Sequence, residues 1–297
     1  MWKAILPAVI ALVTLGLSLV SGEVVKRESQ QKQVIALAQP AAEPAKAKAA
    51  EPATTAIPHA TGGHPVALVI GNATYPDAGL PLAQPVNDAR ALAAALKDKG
   101  FDVELGENLT KQAMEQAFET FKSKIEPGST ALIFFSGIGV QAGRQTYMMP
   151  INAHVWTEAD VRRTGLSLEP LLSEIDAIGA GAKVVILDAS RRNPFERRFR
   201  SLSAGLAAIQ APDDTLVISA AAPGKVVSDG EGDTSPFMDE LIGQIRTSGQ
   251  SAEAVFKRTR QAVSQASHRE QVPWVSSSLV EDFSFAQPGA KMQQSAR

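Results

Sequence analysis

Residues 184–195 read VVILDASRRNPF. An apolar run ends at Asp188, and Ser190 follows on a short turn before Pro194. A continuous apolar run bounded by a turn is what a strand buried on both faces looks like. In open α/β proteins, ligands and chemistry collect where the carboxyl ends of parallel strands meet solvent. The stretch therefore sets two expectations at once: a parallel sheet, and a small hydroxyl residue at its chemically active edge. Serine becomes nucleophilic near neutral pH only beside a base, and the chain offers four histidines, His59, His64, His154 and His268.

Working outward, the same signal recurs. VALVIGN (66–72), TALIFFSG (130–137) and DTLVISAA (214–221) are further short apolar runs. Between them lie helical patterns. Val86, Ala89, Leu92, Ala93 and Leu96 share one face, with Asn87 and Asp88 at the start and Gly100 placed for a left-handed exit. Thr110 is positioned to cap a helix whose Met114, Ala117, Phe118, Phe121 and Ile125 align. Ser167 is a cap for residues 168–178, and Ser235-Pro236 opens residues 237–245. Another helix is expected over about 252–265. QTYMMPIN (145–152) reads as a strand, and SSLVEDFSF (277–285) alternates as a closing edge strand. Strands separated by helices of this length specify a mostly parallel sheet covered on both faces.

Composition narrows the function classes. The 297 residues carry a net charge of −2, and residues beyond 62 hold 23 Lys/Arg against 27 Asp/Glu. That balance argues against nucleic-acid binding, which draws its affinity from phosphate neutralisation. The absence of cysteine excludes disulfides, thiolate metal sites and a cysteine nucleophile.

The first 22 residues hold one Lys and then an uncharged apolar run, as in an export signal or a membrane anchor. Residues 23–62 are rich in Ala, Pro, Lys and Glu without apolar periodicity and read as a linker, able to reach on the order of 90 Å if extended. The folded domain is then 63–286, with a flexible tail at 287–297. This arrangement places the domain in the cell envelope, anchored at the inner membrane facing the periplasm, or exported.

Five ordered blocks carry a family resemblance: residues 67–103, 131–153, 184–207, 216–237 and 271–285, among them ALIFFSGIGVQAGRQTYMMPINA and VVILDASRRNPFERRFRSLSAGLA. Together they resemble bacterial caspase-like peptidases of the metacaspase type over roughly residues 64–285. The resemblance implies a caspase–haemoglobinase α/β fold, a three-layer αβα sandwich around a mostly parallel sheet of about six strands.

It also implies where the chemistry would lie. The family's catalytic His stands between two glycines, where this chain has Gly137-Ile138-Gly139; its catalytic Cys follows an Asp-Ala pair, where this chain has Ser190. Ile138 offers no lone pair and no proton. Loss of one member of such a pair costs on the order of 10⁶ in turnover, so no functional catalytic residue is expected, and the chain reads as a pseudopeptidase. By the same resemblance Asp188 lines a pocket for a basic side chain, Gly137 and Gly139 present N–H donors, and Ser219 and Trp274 flank a peptide groove. The implied partner is a peptide or protein, basic in character, or an active relative paired through a strand edge. No cofactor or metal is expected.

Three alternatives accompany this reading. Ser190 could work with a relocated base, His154 or His268, as a hydrolase. The domain could be a structural envelope module with a vestigial cleft. Arg191, Arg192, Arg197, Arg198 and Arg200 form a basic loop suited to an acidic partner or simply to solvent. Residues 229–240 echo a calcium-loop spacing, but Thr234 stands where that loop needs glycine, so an acidic turn is the better reading.

Overall fold

The structure is a computed structural model and describes residues 63–78, 81–191, 205–227, 230, 232–247 and 249–285. The chain divides into two units, Met1–Thr55 and Ala56–Arg297, and every described residue belongs to the second. Residues 1–22, read as an export signal or anchor, and those read as linker (23–62) and tail (287–297) lie outside the described residues. Among the described residues no helix is long and apolar enough to cross a membrane.

Six strands form the central sheet: β1 (Val66–Gly71), β2 (Asp102–Glu107), β3 (Ala131–Ser136), β7 (Lys183–Asp188), β8 (Thr215–Ser219) and β9 (Trp274–Ser277). Their order is β2-β1-β3-β7-β8-β9. All neighbours are parallel except β9, which runs antiparallel to β8. Successive residues of a strand face opposite sides, and here both sides are covered. Val69, Phe134, Ile186 and Ile218 pack on one face against α1 (Pro85–Asp98), α5 (Pro236–Arg246) and α6 (Ala252–Ala266). Leu68, Ile133, Val185 and Val217 pack on the other against α2 (Lys111–Ser123) and α4 (Leu168–Ile178). This explains the uninterrupted apolar runs. Each such side chain contributes about 1.5–3 kcal/mol by leaving water, and the three layers of the sandwich follow.

A small antiparallel sheet stands apart from the central one. It comprises β4 (Gly139–Ala142), β5 (Gln145–Met148) and β6 (Leu166–Ser167), with α3 (Glu158–Thr164) beside it. The strand expected at residues 145–152 belongs here, hairpinned to β4. The Gly-x-Gly turn of residues 137–139 therefore leads into a strand. Helix α3 starts in a reciprocal capping box between Thr157 and Asp160.

The edge strand differs from its expected position. Residues 274–277 pair with β8, and 278–285 do not continue the strand. Phe283 and Phe285 instead stack on Phe101, with Phe285 also meeting Phe256. Phe285 is buried in the core and Phe283 packs partly buried against it, which draws the segment off the sheet's edge.

Candidate functional site

Strands β3 and β7 are neighbours, with Ser136 opposite Asp188 at their carboxyl ends. The two loops that follow carry Ile138 and Ser190, and they are zipped together. Gly137 N–H donates to Asp188 O at 3.3 Å, and Gly139 N–H donates to Ala189 O at 3.1 Å. The approach is close enough to require glycine. A Cβ on Gly139 would lie 2.8 Å from Ala189 O, and one on Gly137 would lie 2.5 Å from the Tyr75 hydroxyl. The middle amide, Ile138 N–H, donates to Tyr75 Oη at 3.0 Å. The expectation that Gly137 and Gly139 present free N–H donors is thus corrected: three successive amides are already spent on internal acceptors.

Ile138 is 2% exposed and packs in a separate apolar cluster with Val140, Tyr147, Met149, Val155 and Val161. Its carbonyl accepts from Met149 N–H at 3.0 Å. Ser190 is 1% exposed, and its carbonyl accepts from Val227 N–H at 2.9 Å. Among the described residues no imidazole hydrogen-bonds Ser190. His154 is exposed, with Nδ1 3.9 Å from Asp77 Oδ2. His268 sits in a left-handed turn after α6, and His64 is exposed beside β1.

Asp188 is 2% exposed, and its Oδ2 is buried with no hydrogen-bond partner among the described residues. A second buried carboxylate, Asp88 on α1, takes Ser235 N–H on Oδ1 at 2.8 Å and Ser136 Oγ–H on Oδ2 at 3.5 Å. Burial first, and then the negative charge of Asp188, push the Asp88 carboxyl up to about 7 against the opposing Ser235 N–H and Arg191 guanidinium. Asp88 is the site residue that sequence reasoning missed, having been read as part of the helix start. Helix α1 begins two residues before Asn87, at Pro85. The signal was available: Asp88 lies four residues before Leu92, on the stripe that faces the core, where an acid is out of place.

The five arginines of the 191–200 loop separate. Arg192, Arg197, Arg198 and Arg200 lie outside the described residues. Arg191 is not part of a solvated surface: it is 6% exposed because its guanidinium turns inward to meet acceptors. Nη1 donates to Gly137 O at 3.1 Å and to Asp188 O, and it stands 3.7 Å from Asp188 Oδ1.

Ser219 faces Trp274 in the β8–β9 register. Both line a small open groove with Leu206, Ile209, Val217 and Pro223. Trp274 is 39% exposed and so is available to a ligand. Leu206 links the groove to the loops, since its Cδ2 lies 2.9 Å from where a Gly139 Cβ would be. Ser219 also pairs with Leu187, one residue before Asp188.

Among the described residues no cluster of three or more His, Asp or Glu is arranged to hold a metal. Asp229 and Glu231 of the calcium-like spacing lie outside them. The neighbouring carbonyls of Gly230, Gly232 and Thr234 all accept from Gln84 Nε2 at 3.1 Å.

A mostly parallel sheet between two helical layers, with a paired turn after β3 and β7 and a groove along β8, makes a three-layer α/β sandwich. Residues 64–284 match the family described as Caspase domain. The chain belongs to that family. No curated protein matches it in sequence.

Proposed function

We propose that the protein is a pseudopeptidase of the caspase fold, which holds a basic peptide or protein segment without cleaving it. The observation that carries this reading is the state of the two dyad positions. Ile138 is absorbed into an apolar cluster, and Ser190 is buried with no imidazole among the described residues bonded to it. Among the described residues neither dyad position offers an imidazole to accept a proton or a nucleophile activated by one. The amides of residues 137–139 donate to internal acceptors, so these three offer no ready stabilisation to a tetrahedral oxyanion.

What remains suits binding. The groove has an apolar wall and an exposed indole, and two buried carboxylates stand nearby, Asp188 at the end of β7 and Asp88 on α1. Peptide recognition of this kind uses an aromatic anchor and one charged contact. On the same reading, residues 1–22 export or anchor the chain and residues 23–62 tether the domain in the cell envelope.

The test is titration of the purified domain with peptides carrying Arg, Lys or Gln at the anchoring position, followed by exposure to a fluorophosphonate probe. The expected result is saturable binding of the Arg and Lys peptides and no labelling. Labelling lost in Ser190→Ala would establish a serine hydrolase instead. Binding with no preference for basic residues would leave a structural module with a vestigial cleft.

A further inference from the structure

Four acceptors converge at the carboxyl edge of the sheet: Gly137 O, Asp188 O, the Asp188 carboxylate and, nearby, the Asp88 carboxylate. The chain fills this cradle with its own Arg191. Electrostatic influence of that guanidinium reaches both Asp88 and the Tyr75 hydroxyl, so among the described residues it is the cation facing the cluster. The fit to Asp188 is nonetheless poor. Nη1 spends its hydrogen bonds on two backbone carbonyls and reaches Oδ1 only at 3.7 Å. Oδ2 is left buried and without a donor among the described residues.

A buried acceptor without a donor is expensive, and a planar guanidinium can satisfy both oxygens of a carboxylate at once. Arg191 lies only three residues after Asp188, and its guanidinium stands over the backbone carbonyls. A side chain arriving from another molecule is not held there. It can meet the carboxylate squarely and satisfy Oδ2.

We propose that Arg191 is a tethered occupant of a guanidinium site, filling the Asp88–Asp188 cradle in the free protein and giving way when a partner's arginine enters. The inference rests on the reading of the groove as a basic-peptide site and adds its regulation. The free and the bound protein each hold a guanidinium against the carboxylates, so neither end state strands a buried charge. The affinity measured for a ligand then falls by the fraction of molecules in which the cradle is open, and Arg191 sets that fraction.

The experiment is calorimetric titration with two probes. One is agmatine, which carries a guanidinium and no peptide backbone; the other is an acetylated peptide ending in arginine amide. The proteins are the wild type, Arg191→Met, which keeps an unbranched apolar stem, and the double variant Asp188→Asn/Arg191→Met. The expected result is that Arg191→Met binds both probes at least about tenfold more tightly than wild type, and that the double variant loses the gain. Equal peptide affinity in wild type and Arg191→Met overturns the tethered occupant while leaving the basic-peptide reading intact. No binding to either protein overturns both. If Arg191→Met fails to fold, Arg191→Lys supplies the comparison: it retains the charge but not the planar fork, so a smaller gain is expected, and unchanged affinity counts against the proposal.

Discussion

Tyr75 Oη accepts the Ile138 N–H at 3.0 Å and donates its own proton to Met149 O at 3.2 Å. One buried phenol thereby ties the turn after β3 to the end of β5. Burial raises the Tyr75 hydroxyl far above its ordinary range, so it serves as a neutral strut and not as an acid.

Tyr75→Phe deletes that strut and leaves a buried amide and a carbonyl to find other partners. Asn72 Nδ2 already donates to Met149 O at 3.1 Å, so the orphan is chiefly the Ile138 N–H. The expected loss is about 1–3 kcal/mol, read as a lower midpoint in urea with an unchanged slope.

Ile138→His with Ser190→Cys is the natural attempt at restoring a dyad. Residue 138 faces an apolar cluster, so the imidazole would lose packing and bury ring nitrogens without partners. We expect Ile138→His alone to cost about 2–4 kcal/mol, and Ser190→Cys to cost less than about 1.5 kcal/mol. The double variant is expected to show no cleavage of Arg-terminated reporters, because the neighbouring amides remain occupied. Thermal melts and a fluorogenic assay check both statements.

Gly139→Ala would drive a methyl group to 2.8 Å from Ala189 O and 2.9 Å from Ala189 Cβ, both of which are anchored. Overpacking of this kind costs about 1–3 kcal/mol. The loops would part where Gly139 N–H meets Ala189 O, and the amide of residue 139 would exchange with deuterium faster than in the wild type.

The sheet was legible because buried parallel strands announce themselves as apolar runs, and the order of the blocks carried the family. Its edge was less so: residues 277–285 alternate like a strand, yet Phe283 and Phe285 serve the core near Phe101. Periodicity alone does not say which neighbour an alternating face will meet. At the site, the sequence located Ile138, Asp188 and Ser190 but not the commitment of the amides between them, which depends on two loops meeting across a sheet. Asp88 and Arg191 escaped for a related reason. A charged residue beside a helix start or within an arginine run reads as solvated until a distant strand end shows where it points.

Asp88 makes stability depend on pH. Its carboxyl titrates at about 7 when folded against 3.8 in the unfolded chain. Between those values the folded state binds the extra proton, so stability falls as pH rises. The cost is absent below the unfolded value and complete above the folded one, on the order of 4 kcal/mol at full ionisation. Asp88→Asn, which can still accept the Ser235 N–H, is expected to flatten the melting temperature between pH 4 and 8 and to melt higher than wild type at pH 8. A parallel pH dependence in the two proteins would assign the effect elsewhere.

The most direct measurement is product analysis by mass spectrometry after prolonged incubation of the wild-type domain with saturating Arg- and Lys-containing peptides, beside Ser190→Ala as the control. The account predicts that the peptides are recovered intact and that both proteins behave alike. Cleavage after a basic residue by the wild type, abolished in Ser190→Ala, would contradict it.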